Sequence, residues 1–299
     1  MLGKLMAKNI VLAGKGAPLF DNPANYDMQY EDIAFKASDG INIRGWLIKG
    51  TNNKVIIQSH FALFCSRSGY TNDVKRPVKG FDHDVQFLRQ AKYLNDEGYT
   101  VLMYDFRNHG ESDPAMDGFV SYGPEEAKDL IGAVDFISNH PEYKDAKIGL
   151  FSICMGQGAS VAAFGREDGP RNYKNIECMI SVQPLDYAHF MNKMKLPNFM
   201  KKSTDRYIRK NTEFDYYNNT WRPHVKDVSV PTLVIQNTND GFFDREFVEG
   251  VYNDLQVDKE MMWIELPKLK NQGYNRMAAY DWLGKNPEPI VGWFDKHMK

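Results

Sequence analysis

Cysteine is scarce: Cys65, Cys154 and Cys178 are the only three in 299 residues. They are too few and too scattered for a disulfide framework or a zinc site, which favours a reducing compartment such as the cytoplasm. Long apolar runs are missing too, and none approaches the roughly 18 residues of a membrane span. In the leading stretch "MLGKLMAKNIVLAGKGAP", Lys4, Lys8 and Asn9 interrupt the apolar residues. That stretch reads as an arm or helix rather than a signal peptide. Neither sign of charge dominates: 37 Lys and Arg oppose 39 Asp and Glu, for a formal net charge of −2. This balance argues against nucleic acid or a bilayer surface as the main partner. There is no internal repeat and no low-complexity linker. Nor does any histidine fall between His224 and His297.

What is present is ordinary globular material, 42% hydrophobic and 25% charged, enough for one large α/β domain or two small ones. A chain of this length buries most of its apolar surface without a staple. "EDIAFKA" and "INIRGWLI" flank Ser38-Asp39-Gly40, the signature of a hairpin between alternating strands. Then come "KVIIQSH", "YTVLMYDF", "KIGLFS", "IECMISV", "PTLVIQN" and "MMWIEL". Several are continuous apolar runs, as expected of strands buried on both faces. Amphipathic segments separate them. "DHDVQFLRQAKYLNDEG" carries apolar residues at Val85, Leu88, Ala91 and Leu94, with Gly98 as a stop. "GPEEAKDLIGAVDFISNHP" has Pro124 and acids at its start and Pro141 after its end. Asp244 to Leu255 and "PEPIVGWFDKHM" read as helices of the same kind. A hairpin followed by β-α-β alternation predicts a mostly parallel sheet with helices on both faces. Residues 186 to 228, rich in Met, Lys, Tyr and Asn, break the alternation and predict a small helical insert of the kind that covers a pocket.

Ser152-Ile153-Cys154-Met155-Gly156 follows a strand and opens a helix. It resembles the G-x-S-x-G nucleophile elbow of the α/β-hydrolase superfamily. "YDFRNHGESD" (Tyr104 to Asp113) is similar to the D-x-R-G-H-G-x-S segment of that superfamily. "QSH" (Gln58 to His60) ends the third strand, where the family usually has His-Gly, and Asp240 closes "NTND" where the family places its triad acid. The resemblance covers most of the chain. It implies one α/β-hydrolase domain over residues 1–299, with 186–228 as a cap-like insert. It also implies a cysteine nucleophile at position 154, as in dienelactone-hydrolase-like members. An elbow needs small neighbours two residues away on each side, here Ser152 and Gly156. It lays the side chain over a helix N-terminus, where partial positive charge favours a thiolate. The Met155 N–H is then one expected oxyanion donor, and Phe61 or Ala62 supplies the other. Cys178, inside an apolar strand, reads as core. Cys65 stands near the oxyanion segment as a candidate pocket residue. Asp105 and His109 read as structural.

The family's triad histidine belongs within "PKLKNQGYNRMAAYDWL", and none is there. Asn275-Arg276-Met277, with Tyr280 beyond, stands in its place. A serine without a base is nearly inert. A thiol over a helix N-terminus can attack unaided, although water must still be activated to release the acyl group. His189 in the insert or His60 near the pocket mouth is a candidate surrogate base, His60 reading more naturally as a loop tether. A substituted variant, with Asn275 for histidine or Cys154 for serine, fits the same letters. His297, in the last helix, reads as a surface residue. Asp240 stays at the expected site as the remaining acid partner, holding Asn275 or a water.

The expectation is an enzyme that opens an ester, thioester or lactone through Cys154. The alternative is an acyltransferase, cyclase or lyase, because the hydrolytic base is missing. A second alternative is a non-catalytic binding protein that kept the fold. The expected partner is a small acyl substrate, free or carried on coenzyme A or a carrier protein, with apolar side chains of the insert as pocket wall. No cofactor or metal is implied, and no oligomeric state follows.

Overall fold

A computed structural model describes residues 2–12, 17–62, 64–74 and 81–299. Residues 1 and 13–16 of the leading stretch therefore lie outside the described residues. The strands are β1 (Tyr30–Lys36), β2 (Asn42–Ile48), β3 (Lys54–Ser59), β4 (Gly69–Tyr70), β5 (Val85–Gln86), β6 (Thr100–Tyr104), β7 (Lys147–Ile153), β8 (Ile176–Val182), β9 (Thr232–Asn237) and β10 (Lys259–Ile264). The helices are α1 (Leu2–Ala7), α2 (Leu88–Asp96), α3 (Ala127–Ser138), α4 (Met155–Phe164), α5 (Tyr187–Lys193), α6 (Asn198–Asn211), α7 (Arg245–Asp254), α8 (Gln272–Leu283) and α9 (Glu288–His297).

Eight strands form one sheet in the order β1-β2-β6-β3-β7-β8-β9-β10. The β1–β2 hairpin is antiparallel, β2 joins β6 antiparallel, and every pairing from β6 to β10 is parallel. The apolar runs at β3, β6 and β7 are buried almost throughout, because helices cover both faces. Strand β7 shows this directly. Phe151 meets Phe294 of α9 at 6.3 Å between ring centroids, while the hydroxyl of the adjacent Ser152 lies 2.7 Å from that of Ser160 on α4. Neighbouring strand residues point to opposite faces, so α9 and α4 sit on opposite sides of the sheet.

Two sequence expectations shift. Val85 does not open α2. It pairs with Tyr70 in the short β4–β5 ribbon, and the helix begins at Leu88. His297 is half-buried rather than exposed, its ring 4.1 Å from that of Trp293.

The 186–228 segment carries α5, α6 and a 3-10 turn at Arg222–Asp227. The leading helix α1 lies along α6 so closely that a Cβ at Gly3 would sit 2.2 Å from the carbonyl oxygen of Ser203. Beyond α1, Ile10 is buried, and its carbonyl accepts a hydrogen bond from the Tyr122 hydroxyl at 2.7 Å. Among the described residues, no helix is long and apolar enough to cross a membrane.

Candidate active site

Strand β7 ends at Ile153 and α4 begins at Met155, so the chain turns through one residue, Cys154. Its φ of 54° and ψ of −104° lie in a region that side chains rarely adopt. The turn is held from both sides. The Cys154 N–H donates to Val182 O on β8 at 2.9 Å, and the Gly156 N–H donates to His60 O at 3.2 Å. A Cβ on residue 156 would stand 2.7 Å from the Cβ of Ser59 and 2.8 Å from its carbonyl, so only glycine lets α4 come this close to the end of β3. As the first residue of α4, Met155 has no acceptor within the helix for its N–H. Among the described residues the amides of Met155, Phe61 and Ala62 donate to no other group.

Behind this loop, His60 is buried with both ring nitrogens engaged. Its Nδ1 lies 2.7 Å from Phe61 O, and its Nε2 accepts the Phe106 N–H at 3.1 Å. Only the Nδ1–H tautomer makes both bonds, and burial followed by neighbouring His109 drives its pKa well below the usual histidine range. His60 is thus a tether for the loop, as the sequence suggested. Asp105 accepts from the amides of Arg67 and Glu111 and pairs with the Arg67 guanidinium, while His109 Nδ1 lies 2.9 Å from Arg107 O. Both residues are structural.

Where the sequence leads us to expect Asn275 beside Asp240, it is Arg276 that faces Asp240 and Cys154. Asn275 closes its own loop: its Oδ1 accepts from Leu269 N at 2.6 Å, and its Nδ2 donates to Leu269 O and Asn271 O, both at 3.0 Å. One residue further along α8, the Arg276 side chain turns inward. Its Nη1 donates to Asp240 Oδ2, its Nη2 donates to Gln183 O, and that same Nη2 lies 3.3 Å from Cys154 Sγ. Asp240 thus holds Arg276 rather than Asn275, and its other oxygen accepts the Phe242 N–H at 3.0 Å. Cys154, Asp240 and Arg276 are each less than 10% exposed. Burial works against the charge on Arg276, but Asp240 and Cys154 outweigh it and push its pKa well above the ordinary arginine value. Arg276 is therefore a fixed cation and cannot serve as a base.

One turn beyond Arg276 stands Tyr280. Its ring stacks on Phe61, with centroids 4.7 Å apart and planes 15° apart, and lies 5.9 Å from the Arg276 guanidinium carbon. Its hydroxyl is buried beside Cys154 and makes no hydrogen bond of normal geometry. His189 belongs elsewhere. Its ring stacks on Phe247 at 4.2 Å, and it does not line the cavity that holds Cys154. Nor do Cys65 or Cys178, both fully buried, and burial pushes the Cys178 thiol far above its usual pKa.

Cys154 opens into a cavity of about 330 Å³. Phe61 and Ala62 form one wall, and Phe190, Met194 and Leu196 of the insert form another. Met6 and Ile10 of the leading arm also line it, a contribution the sequence did not suggest. Among the described residues no cluster of metal-ligating side chains occurs.

The sheet order, the strained elbow and the acid after β9 define the α/β-hydrolase fold. An esterase from Pyrococcus furiosus superposes with a TM-score of 0.67 at 18% identity, covering 96% of this chain and all of that one. The α/β hydrolase GrgF from Penicillium sp. sh18 superposes with a TM-score of 0.61 at 17% identity, covering 90% and 99%. Among curated sequences, the chain is 27% identical over 154 residues to the polyketide transferase grgF of Penicillium sp., which is 52% of this chain and 45% of that protein. It is 28% identical over 178 residues to the thiohydrolase aneE of Aspergillus aculeatus, 59% and 48%. The chain spans about half the length of these curated relatives. No protein-family model matches it.

Proposed function

We propose that this chain is an acyl-transfer enzyme that takes an apolar acyl group from a thioester, activated ester or lactone onto Cys154. The observation that carries this reading is the Arg276 guanidinium 3.3 Å from the Cys154 sulfur. A permanent cation there, together with the N-terminus of α4, sets positive charge beside the attacking sulfur. In the attack, sulfur bonds to the carbonyl carbon, and the developing oxyanion is taken by the amides of Met155 and of Phe61 or Ala62. Asp240 fixes Arg276 rather than a histidine. A thiol leaving group, with a pKa of about 8.5, depends far less on a proton donor than an alkoxide does. A thioester donor, on coenzyme A or a carrier protein, therefore suits the site better than an alkyl ester. An apolar, polyketide-like acyl chain suits the cavity, and the names of the curated relatives, polyketide transferase and thiohydrolase, support that class. In this reading the chain is one hydrolase domain with residues 186–228 as its cap.

Arginine cannot activate water, so the reading favours transfer of the acyl group to an acceptor over rapid hydrolysis. All three cysteines are free, which suits work in a reducing compartment such as the cytoplasm. The test is intact-mass analysis after incubation with an aryl thioester of a medium-chain acid. The expected result is one acyl adduct on Cys154 that is absent in Cys154→Ala. No adduct on the unaltered protein overturns the proposal and leaves a ligand-binding protein on a hydrolase scaffold.

A further inference from the structure

Acyl transfer needs a proton for the leaving group and a place to put the acceptor's proton. In this site the usual carrier is gone. His60 spends both nitrogens on the backbone, and His189 lies outside the cavity. Arg276 is permanently charged, and Asp240 is committed to Arg276 and the Phe242 amide. Three tyrosines line the cavity. Tyr122 donates to Ile10 O and Tyr70 donates to Phe81 O, whereas the buried Tyr280 hydroxyl makes no hydrogen bond of normal geometry and has the Cys154 sulfur as its polar neighbour. A phenylalanine would fill the same space without the desolvation penalty of an unpaired hydroxyl. That hydroxyl instead faces the reacting sulfur, its ring fixed by the stack on Phe61.

We propose that Tyr280 is the proton carrier of this site. The inference rests on the acyl-enzyme reading above. During acylation the sulfur–carbon bond forms and the carbon–leaving-group bond breaks, while the leaving group takes the phenol proton and Tyr280 becomes phenolate. The Arg276 guanidinium, 5.9 Å from the ring centre, stabilises that anion. In the second half the acceptor attacks the thioester carbon, gives its proton to the phenolate and releases the Cys154 thiolate. One negative charge thus moves from sulfur to oxygen and back beside a single fixed cation. Burial holds the phenol above its ordinary pKa, with Arg276 opposing and the Cys154 sulfur reinforcing that shift. Formation of the uncharged acyl-cysteine removes the sulfur's contribution at the moment the phenolate has to form.

The test is Tyr280→Phe, given the same acyl group on an aryl thiol and on an alkyl alcohol, with adduct growth and release followed by intact mass. The loss should steepen with the basicity of the leaving group, reaching about 100-fold for the alkyl ester. Release to an added alcohol should slow by a similar factor. A melting temperature that is unchanged or higher should accompany the loss, since no structural hydrogen bond is removed and a buried hydroxyl is. An equal loss for both donors, or none, overturns the shuttle while leaving the acyl-enzyme intact. A native protein that forms no adduct overturns the acyl-enzyme reading, and the shuttle falls with it.

Discussion

Arg276 holds its Nη2 3.3 Å from the sulfur of Cys154, where the α/β-hydrolase fold ordinarily places an imidazole. The substitution changes what the site can do. An imidazole alternates between base and acid near neutral pH, whereas a guanidinium is a cation throughout. Asp240, which would orient the imidazole, here neutralises the cation.

The first consequence concerns stability. Arg276 and Asp240 form a buried ion pair, so removing either partner strands a charge. Asp240→Asn and Arg276→Met should each cost about 3–5 kcal/mol. The double variant should recover much of that loss, because no lone charge remains. Urea midpoints for the four proteins of the cycle read the coupling. Additive losses would mean that the two side chains stand apart in solution.

Cys154, the proposed nucleophile, supplies the second. Cys154→Ser should reduce acyl-adduct formation to background, because a serine hydroxyl needs a base and Arg276 cannot be one. Cys154→Ser combined with Arg276→His rebuilds serine, histidine and acid in the family's order. The double variant should hydrolyse an aryl ester faster than Cys154→Ser alone. Steady-state hydrolysis measures this directly, and equal rates would show that position 276 does not reach residue 154.

A third outcome follows from His60 and His109, whose buried rings lie 5.0 Å apart. Burial comes first in lowering both pKa values, so both are neutral in the fold. Below about pH 6.5 the unfolded chain binds protons on these rings that the native state does not. The contribution of these two rings to stability therefore rises with pH through this range and falls as pH drops below 6.5, against Asp129, whose carboxyl pKa burial raises to about 7. Each ring contributes a slope of up to ~1.4 kcal/mol per pH unit. His189 and His297 act in the same direction more weakly, because they are less buried. Urea midpoints of both proteins at pH 7.5 and 5.5 isolate the ring from Asp129: the change from pH 7.5 to 5.5 should be less destabilising in His109→Gln than in the unaltered protein, and equal changes would remove His109 from the account.

The frame of this site was legible in the letters because burial on both faces writes strands as unbroken apolar runs. "KIGLFS" became β7, and the small residues after it became the elbow. Arg276 was not legible. Adjacent helical residues point about 100° apart, and nothing in "QGYNRMAAY" marks which of Asn275 and Arg276 turns inward. The choice is made by tertiary contacts, since Asn275 finds Leu269 and Asn271 while Arg276 finds Asp240. One signal was available: Arg276 and Tyr280 are spaced i, i+4 and so share a helix face. Val85 fitted the apolar period of α2, but its pairing with Tyr70 across the β4–β5 ribbon prevailed. The lining of the cavity by Met6 and Ile10 left no mark in local sequence, because it depends on α1 meeting α6.

Glycine at position 156 offers a test of the elbow that separates packing from propensity. Within a helix, alanine is ordinarily favoured over glycine by roughly 1 kcal/mol. Gly292, in α9, has open space where a Cβ would go, so Gly292→Ala should stabilise the protein by about that amount. Gly156 is also helical, but its Cβ would meet Ser59 at 2.7 Å. Ser59 cannot give way freely, because its hydroxyl lies 2.9 Å from the buried Tyr104 hydroxyl and its strand leads directly into His60. Gly156→Ala should therefore cost about 1–3 kcal/mol as overpacking. The strain falls on the Gly156 N–H to His60 O bond and on the loop that carries the Phe61 and Ala62 amides. Adduct formation at Cys154 should thus slow in Gly156→Ala and stay unchanged in Gly292→Ala. If both variants are stabilised alike, the close approach of α4 to β3 is wrong, and the placement of the oxyanion amides beside the sulfur fails with it.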